Sequence, residues 1–328
     1  MFSRPVSRRL LTVTTAYLLL VVVTGLLPIL LSLAALVDLI RWLADRRPAM
    51  SLRMLVFGWL YLLGEGWAII VLTVLGFLPD STSTRLTYRA QRAWLDWNFD
   101  ALTLAFALVF VEEGRGAIPP GPILLLSRHT SMIDTMLPGR YVVRPYGIKL
   151  RYVLKKELLV DPALDIGGNR LPNYFIDRSG TTADELAALR RIAESLAANE
   201  GVLIYPEGTR YSEEKRVEYS QRWRRAGGVL GEIVSGYRRV LPPRPGGTLA
   251  LLEASNADVV VLAHRGLEGF ARVSDIWGGG LVGSRVELSF WRVPRSAIPE
   301  DDEARTEWLF RLWAEVDSWV VDVRGADG

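Results

Sequence analysis

No charged residue occurs between Leu10 and Val37, and that run restricts this chain's folding more than any other feature. As one α-helix it would be ~42 Å long, against ~30 Å of hydrocarbon in a bilayer. A second run, Met54 to Pro79, is interrupted only by Glu65. The first run is too long for a signal-peptide core and has no clear cleavage site, so it reads as part of the mature protein. Residues 1–79 are therefore expected to form a membrane-anchoring helical hairpin, with Pro28 available for a kink. Glu65, between Gly64 and Gly66, is costly inside hydrocarbon: it is either functional, or kept close to water or a partner helix. Arginines flank both runs: Arg4, Arg8 and Arg9 before the first, Arg41, Arg46, Arg47 and Arg53 between them, and Arg85, Arg89 and Arg92 after. A spanning hairpin exports the middle cluster against the positive-inside tendency, whereas a re-entrant one keeps every cluster on the cytoplasmic face. The depth stays open.

Beyond the hairpin, Leu95, Phe99, Leu102 and Phe106 recur at helical spacing, so 80–107 reads as an amphipathic connecting helix. Trp94 and Trp97 suit either a headgroup layer or packing against the next domain. From Leu108 the pattern changes to short apolar runs divided by turns: 108–111, 123–126, 152–154, 174–176, 202–205, 259–262 and 286–291 read as strands. Ala183 to Ala198, started by Thr181 or Thr182, reads as a helix, as does the stretch marked by Trp308, Leu312, Val316 and Trp319. Strands alternating with helices over 108–328 predict an α/β catalytic domain with a largely parallel sheet flanked by helices.

Two short segments carry the chemistry. His129-Thr-Ser-Met-Ile-Asp134 follows one apolar run, and Tyr205-Pro-Glu-Gly-Thr-Arg210 follows another. Both read as loops at strand ends, where open α/β sheets build their sites. Positions five apart on a straight helix point ~140° away from each other. A His129–Asp134 contact thus requires a turn, with Asp134 just inside the next helix. In that arrangement the carboxylate fixes the tautomer of a general base.

These segments resemble the signature of the glycerophospholipid acyltransferase family, the lysophosphatidate acyltransferase-like enzymes, whose motifs are His-x4-Asp and Phe/Tyr-Pro-Glu-Gly-Thr-Arg. Lys155-Lys-Glu-Leu158 and Tyr174-Phe-Ile-Asp-Arg178 fall between them in the family's order. The resemblance covers about Phe110 to Ala263. Two departures stand out: Arg128 occupies the place of the usual Asn, and Val259 to Ala263 lacks the usual Pro. Tyr211 to Gly247 is an arginine-rich insertion ending in Leu241-Pro-Pro-Arg-Pro-Gly-Gly247, similar to the longer, eukaryotic-like branch.

The resemblance implies transfer of a fatty acyl group to a lysophospholipid hydroxyl, with 1-acylglycerol-3-phosphate the leading acceptor. Glycerol 3-phosphate, another lysophospholipid or a glycolipid are alternatives, and a non-enzymatic lipid-binding scaffold is a further one. Acyl-CoA or acyl-carrier-protein would be the donor co-substrate, with no other cofactor and no metal. His129 and Asp134 are the expected catalytic pair. Arg210, Lys155, Lys156 and Arg178 are candidates for an acceptor phosphate. Glu207 would orient Arg210 or shape the site, alongside Thr209, and Gly208 would allow close backbone approach and an oxyanion donor. The chain has no cysteine and no Gly-x-Ser-x-Gly elbow, which favours direct attack on the thioester over an acyl-enzyme.

A net charge of +3 and a pI near 9.2 suit an anionic membrane surface, with the catalytic domain facing the cytoplasm. Arg222-Trp-Arg-Arg225 lacks any accompanying nucleic-acid motif, so no nucleic-acid partner is expected. Gly278-Gly-Gly-Leu-Val-Gly283 precedes a strand rather than opening a helix, which argues against a dinucleotide site. His264 is a minor candidate for the acceptor site.

Overall fold

The computed structural model describes residues 5–114, 116, 118–176, 183–270 and 272–322. Two compact units divide the chain: one comprises Met1–Val109, Leu154–Arg178 and Ile276–Ser284, the other Phe110–Val153, Ser179–Asp275 and Arg285–Gly328. Compactness thus follows a different division from chain order. Two segments beyond residue 108 pack with the N-terminal helices.

The first unit is built on helices α1 (Pro5–Asp45), α2 (Met50–Leu75) and α3 (Asp80–Phe106). Helix α1 continues across Pro28. At the start of α2, Ala49 has no side chain that can cap. Asp38 of α1 supplies the missing acceptor, taking the N–H groups of Ser51 and Leu52 at 2.9 Å each, two of the donors that every helix start leaves unpaired. The Gly64-Glu65-Gly66 segment has a similar logic. A Cβ at Gly64 would lie 2.5 Å from the Trp97 ring, and one at Gly66 would lie 3.0 Å from Leu20. The glycines therefore let α3 and α1 approach α2 closely. Tyr17 donates to the Gly66 carbonyl at 2.8 Å, and Trp97 to that of Leu60 at 2.8 Å.

Glu65, only 2% exposed, accepts from the Ala163 N–H at 2.8 Å. That N–H belongs to the first turn of α4 (Pro162–Gly168), whose N-cap Asp161 accepts from Leu164 at 2.8 Å and from the Tyr61 hydroxyl. The carboxylate inside the apolar run is thus paired with a helix start. Ala68, Leu72, Leu75, Ala90 and Ala163 form the apolar core here, with Trp94 packed against it.

Polar ties hold both ends of α1. Arg8 grips Asp165 with two bonds of 2.8 and 2.9 Å. At the other end, Arg41 donates to the Trp277 carbonyl at 3.0 Å and lies 4.6 Å over its ring. Between these ties Leu10, Leu18, Val21, Ile29 and Leu33 are exposed.

The second unit carries the sheet. Its strands are β1 (Val109–Glu113), β2 (Ile123–Ser127), β3 (Lys149–Lys155), β5 (Glu200–Ile204), β6 (Asp258–Arg265) and β7 (Arg285–Val293). The order is β1-β7-β6-β2-β5-β3-β4. Strand β4 (Tyr174–Ile176) and the last residues of β3 fall in the first unit. Strand β2 is parallel to β5 and β6, and β3 to β5; β7 is antiparallel to β6. All seven expected runs are strands, in the largely parallel sheet that the alternating pattern predicts. Every residue of β2 is buried, as the central strand of a sheet covered on both faces should be.

Helix α5 (Ala183–Ala193) stops short of the expected Ala198. Arg151 is the reason: it donates to the carbonyls of Ile192 at 2.7 Å and Ser195 at 3.0 Å, as well as to Glu200 at 2.6 Å, and so ends the helix as a basic C-cap. Its expected starters, Thr181 and Thr182, lie outside the described residues. The arginine-rich insertion is itself helical, as α6 (Glu213–Ala226) and α7 (Gly228–Ser235), and is followed by α8 (Pro245–Ala254). The terminal helix α9 (Asp302–Val321) buries Leu312 and Val316 as expected. Its stripe is completed by Leu309, Phe310 and Trp313 rather than by Trp308 or Trp319. Asp317 on α9 receives the N–H groups of Arg238, Arg239 and Val240 at 2.5 to 3.0 Å, which fixes the end of the insertion.

Candidate active site

Three adjacent parallel strands, β6, β2 and β5, bring their carboxyl ends to one edge of the sheet in the register Leu126↔Ile204 and Ser127↔Leu262. The chain leaves β2 as Arg128-His129 and leaves β5 as Tyr205-Pro-Glu207, while His264 rides on β6. This is the edge at which an open parallel sheet gathers its functional loops.

Nδ1 of His129 lies 2.8 Å from Oδ1 of Asp134. The contact is made as the spacing requires, through a turn, with Asp134 in a short 3-10 helix, Ile133–Met136. Oδ2 of Asp134 accepts from the N–H groups of Thr130 at 2.5 Å and Ser131 at 2.7 Å. Burial of Asp134 disfavours its charge, but the His129 imidazole, and after it His264, outweigh burial and hold the carboxyl below its ordinary range. A carboxylate can only accept, so Nδ1 of His129 carries the proton and Nε2 presents a lone pair. The Tyr205 ring lies 4.5 Å from the imidazole between centroids, tilted by 35°, and the His129 backbone is fixed by the Tyr211 N–H, which donates to its carbonyl at 2.8 Å.

Glu207 is fully buried and bridges two loops, accepting from the His129 N–H at 3.3 Å and from the Leu241 N–H at 3.2 Å. It thereby ties the His129 loop to the Leu-Pro-Pro segment of the insertion. Gly208 has φ +67, and a Cβ there would meet the Arg244 side chain at 2.9 Å. Its N–H is committed to the Tyr205 carbonyl at 2.9 Å. The expected oxyanion donor is therefore a turn-closing group.

Next to that turn, the Lys215 ammonium donates to the Thr209 hydroxyl and to the Arg210 carbonyl at 3.0 Å each. Burial, followed by the like charges of Arg210, Arg272 and Arg244, lowers the pKa of Lys215. Sequence reasoning did not single out Lys215 or Arg244; only the fold of the insertion returns them to the Glu-Gly-Thr-Arg turn. Lys155 ends β3 and Lys156 opens the turn Lys156–Val160, both in the first unit. Arg178 lies outside the described residues.

Arg128 is fully buried. It donates to the carbonyls of His264 and Arg239 at 2.6 Å each and pairs with Glu268. His264 is also fully buried, so it contacts the back of the site instead of facing a substrate.

A largely parallel sheet thus carries an imidazole–carboxylate pair at its carboxyl edge, in an α/β domain. The acyltransferase family model matches residues 110–263. A lyso-ornithine lipid O-acyltransferase from Pseudomonas aeruginosa is 28% identical over 166 residues, covering 49% of this chain and 59% of that relative. The match therefore spans well under two thirds of the relative's length. The crystal structure of the 1-acyl-sn-glycerophosphate acyltransferase PlsC from Thermotoga maritima superposes with a TM-score of 0.55 at 16% identity, covering 81% of this chain and 95% of that one; it shows a shared fold. Residues 110–263, just under half of the chain, thus match an acyltransferase-family domain.

Burial pushes the Glu207 carboxyl up to about 8, against the pull of Arg128 and the two N–H donors. Between its ordinary value of 4.5 and about 8, the folded protein keeps a proton that the unfolded chain has lost, so stability falls as pH rises through that window. Glu207→Gln removes this titration. Its denaturation midpoint should change less between about pH 5 and about pH 8 than that of the wild type, and parallel curves would contradict the assignment.

Proposed function

We propose that this chain is a membrane-associated O-acyltransferase that moves a fatty acyl group from a thioester donor to a lysophospholipid hydroxyl. The observation that carries this reading is the 2.8 Å contact from His129 Nδ1 to Asp134 Oδ1, which leaves Nε2 free to act as a base. Nε2 takes the proton as the acceptor oxygen attacks the thioester carbonyl carbon. Collapse of the tetrahedral adduct breaks the C–S bond, and the imidazolium returns its proton to the departing sulfur. Asp134 stays ionised and stabilises the imidazolium. Proton and acyl group are then balanced without an acyl-enzyme.

The cations on the Glu-Gly-Thr-Arg turn favour an acceptor bearing phosphate, with 1-acylglycerol-3-phosphate first. Lys215 and Arg244, contributed by the insertion, add to Arg210, and fixed positive groups suit a phosphate's several oxygens. Lyso-ornithine lipid is the second reading, favoured by the relative's activity, and acyl-CoA or acyl-carrier-protein would serve as donor. Initial rates on both acceptors separate the two readings. His129→Ala should lower turnover by about 10²- to 10⁴-fold on whichever acceptor the wild type prefers. Near-full activity of that variant would overturn the base assignment.

For the hairpin we favour a position along one membrane face. Helix α3, ~40 Å long, packs against α2 and carries exposed Arg85, Arg89, Arg92 and Asp100, which a spanning hairpin would draw into hydrocarbon. Polar segments also fasten α1 at both ends, through Asp165 and Trp277. The chain lacks cysteine, so single cysteines report without background. Arg47→Cys and Leu158→Cys should react with an impermeant thiol reagent from the same side of sealed vesicles. Labelling from opposite sides would mean that the hairpin spans.

A further inference from the structure

The two places where this chain departs from its family's pattern meet in the fold. Arg128, in place of Asn, and His264, directly after the Pro-less strand segment, bond to each other reciprocally. The His264 Nε2 lies 3.0 Å from the Arg128 carbonyl, and the Arg128 guanidinium reaches the His264 carbonyl at 2.6 Å. The Arg128 N–H further donates to the Leu262 carbonyl at 3.1 Å. Arg128 is the residue immediately before His129, so these bonds fix the point at which the His129–Asp134 loop leaves the sheet.

The same Nε2 also lies 3.5 Å from Oδ2 of Asp134. At that distance the contact is electrostatic and weaker than a full hydrogen bond. Both neighbours of Nε2 are acceptors, which fixes the proton on that nitrogen. Nδ1 is buried without a hydrogen-bond partner, so this imidazole is turned wholly towards the loop. The charged groups around it are Asp134, the Arg128 guanidinium and Glu268, with His129 on the far side of Asp134.

We propose that His264 is a positioning residue for the His129–Asp134 pair: its Nε2–H holds the Arg128 carbonyl and faces the outer oxygen of Asp134, keeping the inner oxygen on His129. This inference rests on the acyltransferase reading for its rate measurement only. His264 touches no reacting atom, because it is fully buried behind Asp134.

The test compares the full-length wild type with His264→Leu and His264→Gln. Glutamine can return an N–H to the position of Nε2, and leucine cannot. Acyl-transfer kinetics are one readout. The other is the pH dependence of His129 carbethoxylation by diethylpyrocarbonate, read by mass spectrometry, which needs no turnover. Leucine should lower kcat by about 10- to 100-fold, the size that loss of an outer partner takes for metal-bound histidines, with KM for both substrates within about twofold. It should also shift the pH midpoint of His129 labelling, because the carboxylate that faces the imidazole is held differently. Glutamine should restore most of both. A leucine variant with an unchanged labelling midpoint overturns the proposal whatever the turnover. So does a glutamine variant as impaired as leucine, with matching losses of melting temperature, since that pattern belongs to packing alone. A wild type inactive on every acceptor, with the labelling shift intact, would overturn the acyltransferase reading and uphold the positioning role.

Discussion

The carboxylate of Asp134 is fully enclosed and still charged, and the site is organised around making that possible. An enclosed carboxylate loses the hydration that stabilises it in water, a cost of several kcal/mol unless the protein replaces it. Replacement comes from the Thr130 and Ser131 N–H groups on one oxygen and the His129 imidazole on the other. Those two N–H groups converge on one oxygen because the chain turns sharply after β2. The turn is held in place by Glu207 on the His129 N–H, Tyr211 on the His129 carbonyl, and Arg128 through β6. Loops from β5, β6 and the insertion thus converge on one short segment.

The first unit also gives a buried acid a backbone partner. Glu65 lies in an apolar helix, and the start of α4 supplies its N–H partner. Asp161 and Asp165 on that segment take Leu164, Tyr61, Arg8 and Arg9. A carboxylate that the apolar run alone marks as costly is here the fastening for a seven-residue helix, and Gly64 and Gly66 allow the neighbouring helices to close around it.

How much of this could be read from the sequence depended on range. Strand runs and the His129–Asp134 turn are local patterns, and the strand ends deliver them as the spacing demands. The end of α5 was not legible, since it is set by Arg151, some forty residues earlier in the chain. The same holds for Asp38 capping α2 and for Asp317 gathering three N–H groups of the insertion. The insertion itself reads as an arginine-rich surface tract, because nothing local reveals that Lys215 and Arg244 fold back onto Gly208 and Thr209. Arg128 looks like a lone departure in the sequence and His264 like an isolated histidine, and only the parallel pairing of β2 with β6 makes them one unit.

The reaction proposed at His129 is a base-assisted transfer straight from thioester to alcohol. Its most direct test is a single-turnover reaction with the protein in excess over a radiolabelled acyl thioester, quenched at intervals with and without lysolipid acceptor. Label should pass to the lipid ester with one thiol released per ester formed, and none should become bound to protein. Covalently labelled protein, formed and consumed at the rate of product formation, would contradict it.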